Sequence, residues 1–227
     1  MNPILLLCLC ALVGYLIGSF SSAVLVAKAH GVDIFTVGSG NPGATNVKRS
    51  IGKGPGNLVF FLDLLKGFVV ALWPFIPSLH AWTSSSLPPV VLSLAGLTGA
   101  LAGHSFSLYI RFRGGKGVAT AMGGLLAIMA PVVLLGMVIW VLVFYAFRYV
   151  SLASIAFAAS LPLFCSVFWW MDWQLLRSYG WIECSIAAAV FLLILVRHQS
   201  NITRLFNGTE HKFEKQRHAS GKRSNAS

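Results

Sequence analysis

Arg111-Phe112-Arg113-Gly114-Gly115-Lys116-Gly117 opens onto residues 118–147, VATAMGGLLAIMAPVVLLGMVIWVLVFYAF, thirty in a row without a formal charge. As one helix that run is about 45 Å long, against a hydrocarbon core of about 30 Å. Gly123, Gly124 and above all Pro131 interrupt it, so two short helices meeting near Pro131 are expected. The preceding loop carries three cations and three glycines. Glycines let backbone N–H groups approach a ligand closely, and Lys116 with the arginines supplies fixed positive charge, a combination that suits phosphate. The alternative is a plain basic loop that anchors a membrane helix. The spacing is not that of a nucleotide-binding P-loop, which needs Gly-x4-Gly-Lys-Ser/Thr.

Working outward, the whole chain shares the character of that run. Of 227 residues, 56% are hydrophobic and 10% are charged, far below the roughly 25% charged of a water-soluble domain. Several further runs of about 20 apolar residues mark a multi-span, all-α membrane protein. The net charge of +11 is not read as a nucleic-acid footprint, because its placement follows membrane topology. Residues 1–10 lack a basic stretch and a small-residue cleavage pattern, so no removable signal peptide is expected. Cys8, Cys10, Cys165 and Cys184 lie in or beside apolar segments and are expected to be small buried apolar residues rather than a metal site.

The spans fall at about 4–26, 56–76, 87–110, 118–147, 152–171 and 181–196. Placing 27–55 in the cytoplasm, with Lys28, Lys48, Arg49 and Lys53, puts the cation-free 77–86 outside and 111–117 back inside. If 118–147 crosses once, Arg148 and the basic tail fall outside. If it enters and returns, all of the 17 cations except Lys66 and Arg177 fall inside, as the positive-inside rule prefers. The expectation is therefore seven helical segments, two of them too short to cross fully, with the N-terminus outside and the C-terminus cytoplasmic. Residues 1–212 form a single membrane domain, and 213–227 form a basic, disordered tail.

On this topology the unusual polar stretches share one face. Gly38-Ser39-Gly40-Asn41-Pro42-Gly43-Ala44-Thr45-Asn46 runs into Lys48 and Arg49, a loop dense in donors and open to left-handed conformations. Arg49 can fork onto a phosphate, and Ser39, Asn41 and Asn46 can bond phosphate or hydroxyl oxygens. A solvated connector is the bland alternative. Asp63 and Lys66, at i,i+3 on the second span, serve either as interhelical glue or as part of the site. His104, late in the third span, reads first as a structural hydrogen-bonding residue. Ser151 and Ser154 read first as helix caps, with ligand contact the alternative. In the stretch 198–212, His198 can act as a general base and Glu210 can orient a partner, while Gly208 is a helix stop.

No Gly-x-Ser-x-Gly elbow and no His-x4-Asp occurs, and no cluster of ligands proposes a metal, so no cofactor is expected. A one-faced site of glycines, amides and cations favours an enzyme that binds phosphates. A transporter of phosphate or of an organophosphate places its polar elements near the midplane in repeated halves, and no repeat is present. A scaffold that binds anionic lipid is a third class, disfavoured by the glycine and amide density.

Three segments carry a resemblance: 38–52 (GSGNPGATNVKRSIG), 103–120 (GHSFSLYIRFRGGKGVAT) and 198–212 (HQSNITRLFNGTEHK). In order and spacing they resemble the three motifs of the bacterial acyl-phosphate:glycerol-3-phosphate acyltransferases, the PlsY family, over roughly residues 1–212. Ser107 departs from the proline common at its place. The resemblance implies a seven-helix bacterial inner-membrane enzyme with its site facing the cytoplasm. That enzyme moves an acyl chain from acyl phosphate to the sn-1 hydroxyl of glycerol 3-phosphate and releases lysophosphatidate and phosphate. It further implies Ser39, Asn41, Arg49, Lys116, His198 and Asn201 as catalytic residues. Gly38, Gly40, Gly43, Asn46, Lys66, His104, Gly114, Gly115, Gly117, Thr120, Ser151, Ser154, Gly208 and Glu210 are the implied substrate-binding set. Acyl phosphate is already activated, so no covalent nucleophile is needed. Besides these substrates the lipid bilayer is the expected partner, and the oligomeric state stays open, with a monomer sufficient.

Overall fold

The computed structural model describes residues 2–83, 86–172 and 179–213. These residues form helices α1 Pro3–Ser19, α2 Ser22–Ala29, α3 Ala44–Ser50, α4 Lys53–Leu72, α5 Pro77–Trp82, α6 Pro89–Ser105, α7 Val118–Phe147, α8 Val150–Trp170, α9 Trp181–Arg197 and α10 Gln199–Phe206. Four stretches are long and apolar enough to cross a bilayer: Pro3–Ala29, Lys53–Phe75, Val118–Phe147 and Val150–Trp170. The bent pair α9 and α10, at 62° to each other, makes a fifth if taken together. Exposed Leu12, Phe61, Leu134, Val138 and Leu142 give these helices an apolar outer face suited to lipid.

The ten helices exceed the seven expected segments because the connections are themselves helical and the first span is broken. Asn2 caps α1 by accepting from the Ile4 N–H at 2.9 Å, with Pro3 in the first turn. The chain then turns extended at Phe20, and Ser21 caps a separate α2. The expected span 4–26 is therefore two helices, and the break releases the Phe20 carbonyl from the helical ladder. Lys66 takes it, at 3.1 Å. Similarly, the third span ends at Ser105 rather than Ile110, and a short 3-10 turn, Leu108–Ile110, follows. Arg111 and Phe112, both in left-handed conformation, reverse the chain there.

Small residues set the closest helix crossings. Gly14 and Gly18 of α1 lie against Gly96 and Ala100 of α6, where an added Cβ at either would stand 2.1 Å from a carbonyl oxygen. Gly67 of α4 meets the Thr120 carbonyl and Gly123 meets the Leu64 carbonyl in the same way, seating the first part of α7 on α4.

The run 118–147 is two limbs. Met129 leaves the helical region (φ −146°, ψ 56°), and Pro131 cannot donate to the ladder. The fold-back is visible at the ends of the run. Lys116, just before it, bonds Asn201, Asn201 bonds Glu210, and Glu210 accepts from Ser151, just after it. A straight helix would hold those ends about 45 Å apart. The limbs enclose the core, in which Leu125, Ile128, Met129, Val132, Phe157, Leu161 and Ile194 are fully buried.

Two smaller expectations fail. Cys8 is exposed on α1, whereas Cys10 and Cys165 are buried and Cys184 is half-buried. Phe213, placed at the start of a disordered tail, is docked: its N–H donates to the Arg148 carbonyl at 2.9 Å, and its own carbonyl accepts from Arg148 Nε at 3.2 Å. Residues 214–227, and Arg177 of the topology argument, lie outside the described residues.

Candidate active site

Where α3, α4, the two ends of α7, the start of α8 and α10 converge, they enclose a cavity of about 330 Å³. Its first polar wall is the loop before α3. Asn46, buried, is what shapes that loop. Its Oδ1 accepts from the Ser39 N–H at 2.9 Å, and its Nδ2 donates to the Ile34 and Val37 carbonyls at 3.2 and 3.0 Å. Gly38 and Gly40 take positive φ to permit the turn, and a Cβ at Gly38 would sit 2.2 Å from Asn46 Oδ1. Ser39, Asn41, Gly43 and Arg49 are thereby presented to the cavity.

The second wall runs from Lys116 to Glu210. The Lys116 ammonium donates to Asn201 Oδ1. Glu210 receives Asn201 Nδ2 at 2.7 Å and the Ser151 hydroxyl at 2.8 Å on one oxygen, and Arg204 Nε at 2.8 Å on the other. Burial pushes the Glu210 carboxyl up, but these donors outweigh it and hold the group below the usual carboxylate range. Burial also brings Lys116 down to about 8, with Glu210 opposing and Arg204, Arg197 and Arg49 adding to the drop. His198 is brought down to about 4 by burial and by Lys116, so its ring is neutral at pH 7. Its Nδ1 lies 2.8 Å from the Ile194 carbonyl, which can only accept. The proton therefore sits on Nδ1 and the lone pair on Nε2.

The charges of the wall do not balance. Arg49, Lys116 and Arg204 face two carboxylates, Asp63 and Glu210, and Asp63 is matched from behind by Lys66 at 2.8 Å. A surplus of two positive charges remains, which suits a phosphate dianion. Beyond the polar walls, Phe60, Met122, Met137, Trp140 and Val141 give the cavity an apolar flank.

The structure brings together all six residues expected to be catalytic, Ser39, Asn41, Arg49, Lys116, His198 and Asn201, together with Gly43, Asn46, His104, Gly117, Ser151, Ser154 and Glu210. Seven residues expected to bind substrate lie off the cavity wall. Gly38 and Gly40 shape the first loop. Lys66 is spent on Asp63, the Phe20 carbonyl and His104. Thr120 is fully buried in the first turn of α7, where that helix packs on α4, and its hydroxyl has no partner. Gly208, at φ +68°, closes the turn after α10.

Gly114 and Gly115 correct the reading most. Their N–H groups were expected to cradle phosphate, yet the Gly115 N–H donates to the His104 carbonyl at 3.0 Å. A Cβ at Gly114 would lie 2.2 Å from that carbonyl, and one at Gly115 would lie 2.3 Å from His104 Nε2. These glycines exist to seat the loop on the end of α6. Asn46 likewise spends all of its side-chain bonding on the loop, although it borders the cavity.

Arg204, Arg197 and the apolar flank escaped the sequence reading. For Arg204 the signal was present: Asn201 and Arg204 stand at i,i+3, and the Gly208 turn brings Glu210 back to both. For Arg197 and Trp140 there was none, since each looks like an ordinary residue at a span's end or on its lipid face.

A family model described as glycerol-3-phosphate acyltransferase matches residues 8–208. The chain belongs to the glycerol-3-phosphate acyltransferase family. A glycerol-3-phosphate acyltransferase of Aquifex aeolicus (strain VF5) is 43% identical over 199 residues, covering 88% of this chain and 95% of the relative. One from Neisseria meningitidis serogroup B is 39% identical over 203 residues, covering 88% and 94%. Among solved structures, the crystal structure of PlsY, an integral membrane glycerol 3-phosphate acyltransferase, in its glycerol 3-phosphate form superposes with a TM-score of 0.77. It is 41% identical, over 91% of this chain and 94% of that one. Its lysophosphatidic acid form gives 0.75 at 40% identity. The cavity of this acyltransferase-family chain is built mostly from the three motif segments, with an apolar flank from α4 and the second limb of α7.

Proposed function

We propose that the protein transfers an acyl chain from acyl phosphate to the sn-1 hydroxyl of glycerol 3-phosphate, giving lysophosphatidate and inorganic phosphate in phospholipid synthesis. The observation that carries this reading is the surplus of two positive charges on one side of a cavity whose other side is apolar. That cavity suits phosphates and an acyl chain at once.

In this mechanism Lys116, Arg49 and Arg204 hold phosphate oxygens, with Ser39 and Asn41 completing the donor set. Two phosphates fixed in one cavity bring the hydroxyl to the acyl carbonyl, which supplies proximity. The hydroxyl oxygen bonds the carbonyl carbon, and the bond from that carbon to the phosphate oxygen breaks. The hydroxyl proton passes to the departing phosphate. His198, neutral and with Nε2 as its free acceptor, orients the hydroxyl. The cations stabilise the negative charge that develops on the carbonyl oxygen. No acyl-enzyme forms.

The enzyme sits in the bacterial inner membrane with α1, α4, α6, both limbs of α7, α8 and α9 embedded, the N-terminus outside and the cavity facing the cytoplasm. Residues 1–213 act as one domain. Supporting this orientation, the rim loops hold Arg111, Arg113 and Arg148, as the positive-inside rule requires of a cytoplasmic face. Cysteines placed at residues 148 and 212 should both resist an impermeant external thiol reagent, and external labelling of either removes the orientation. For the reaction, purified protein given acyl phosphate and glycerol 3-phosphate should release both products without added metal. A preference for acyl-CoA, or an acylated Ser39 trapped in mid-turnover, contradicts it.

A further inference from the structure

Arg197 ends α9 and faces away from the cavity that His198, its neighbour, lines. Its Nη2 donates to the Gly115 carbonyl at 2.8 Å and lies 3.2 Å from the Gly114 carbonyl and 3.4 Å from the Ser105 carbonyl. The Phe106 ring backs the guanidinium, 5.2 Å away. One side chain thus bridges the last residue of α6 to the two peptides before Lys116. The Gly114–Gly115 peptide is held from both sides, because its N–H donates to the His104 carbonyl. All peptide bonds among the described residues are trans. With its carbonyl on Arg197, the Gly115–Lys116 peptide therefore turns its N–H to the opposite side.

We infer that Arg197 is a positioning residue: from outside the cavity its guanidinium fixes the Gly114–Lys116 backbone and so the place of the Lys116 ammonium. One nitrogen, Nη2, makes all three contacts, and it does so at the far end of a planar group laid on the Phe106 ring, a placement that the shorter, more strongly hydrated lysine ammonium does not reproduce. The α9–α10 bend then sets Lys116 twice, through Arg197 at the backbone and through Asn201, four residues on, at the ammonium. The inference rests on the phosphate-binding role proposed for Lys116, but the first readout of its test, the titration of Lys116, does not require turnover.

The test is the titration of Lys116 in the full-length, detergent-purified protein, read by site-resolved competitive acetylation and mass spectrometry. The charged or titratable groups facing Lys116 are Arg49 from α3, His104 from α6, Arg197, His198, Arg204 from α10, and Glu210. In the wild type the midpoint falls near 8. In Arg197→Gln the released loop lets the ammonium reach water, and the midpoint rises by about one unit or more toward the ordinary lysine range. That variant also loses a nearby cation, which by itself moves the midpoint the same way. Arg197→Lys decides, because it keeps the charge and loses the reach and the ring-backed planar group that place Nη2 on the three carbonyls. If Arg197 positions the loop, the Arg197→Lys midpoint also rises, by about half a unit or more, and KM for glycerol 3-phosphate rises with it. An Arg197→Lys protein with the wild-type midpoint and KM overturns the inference and leaves Arg197 a bystander charge. Melting temperature and the titration of Lys28 serve as controls for folding and reagent access. Wild-type turnover tests the acyltransfer reading separately.

Discussion

Two polar clusters meet at the cavity, and their difference separates scaffold from site. In the first, Asp63 accepts from Ser22 Oγ at 2.6 Å and from Lys66 at 2.8 Å, and Lys66 spends its other two donors on the Phe20 carbonyl and His104 Nδ1. Each ammonium hydrogen has an acceptor and the charges cancel. In the second, Lys116, Arg49 and Arg204 surround a single carboxylate, Glu210. The first joins α4 to the α1–α2 break and to α6, and needs no ligand. The second is short of negative charge until a ligand brings it.

The largest effect that can break this comparison is at Lys116. Lys116→Ala should lose two or more orders of magnitude in catalytic efficiency, about the effect of deleting one charge-stabilising group. Its melting temperature should hold, because the substitution removes a desolvated cation from an already positive wall. Arg49→Ala should behave alike. Near-normal turnover in Lys116→Ala returns the loop to a plain membrane anchor.

Lys66→Met should do the reverse. It strands Asp63 as a buried unpaired carboxylate, a loss of about 3–5 kcal/mol in stability. Because Asp63 borders the cavity, the unpaired carboxylate also cuts the positive surplus from two to one, so activity per folded molecule should fall, but far less than in Lys116→Ala. A thermally normal Lys66→Met that turns over a hundredfold slower moves Lys66 from scaffold to site.

These variants also mark where the sequence was legible. Pro131 and the charge parity of the loops carried the fold-back of 118–147, because length against bilayer thickness is a one-dimensional quantity. The break at Phe20–Ser21 was marked only weakly, by Gly18 and the serines at 19, 21 and 22 inside an apolar run, and Lys66, which uses the carbonyl it frees, lies 46 residues on in sequence. The cavity residues were legible where type and chemistry coincide, as for Arg49, Lys116 and Asn201. The glycines misled. Gly114 and Gly115 read equally as ligand cradle or as close packing, and only the position of the His104 carbonyl decides between them.

A smaller effect sharpens the electrostatics. The Lys116 ammonium is lost as pH rises through about 8, so binding of glycerol 3-phosphate should be full at pH 7 and weaken on the alkaline side of that value. Lys116→Arg should recover part of the lost efficiency and remove this alkaline limb up to roughly pH 10, since guanidinium stays charged there. An identical alkaline limb in Lys116→Arg assigns it to another group. Smallest of all is Lys48→Ala. Lys48 sits beside Arg49 in sequence, but its ammonium points to Asn57 Oδ1 at 3.1 Å on the exposed side. Its loss should cost under about 1 kcal/mol in stability and little in turnover. A tenfold fall in efficiency would extend the positive wall to that side of α3.

The central claim, that the second cluster is a phosphate site waiting for its charge, is tested most directly by ligand-induced stabilisation in detergent. Glycerol 3-phosphate should raise the melting temperature of the wild type and of Lys48→Ala in a concentration-dependent way, as any ligand of the folded state does. Uncharged glycerol at the same concentrations should not, and glycerol 3-phosphate should fail with Lys116→Ala or Arg49→Ala. Equal stabilisation of wild type and Lys116→Ala by glycerol 3-phosphate would contradict the account.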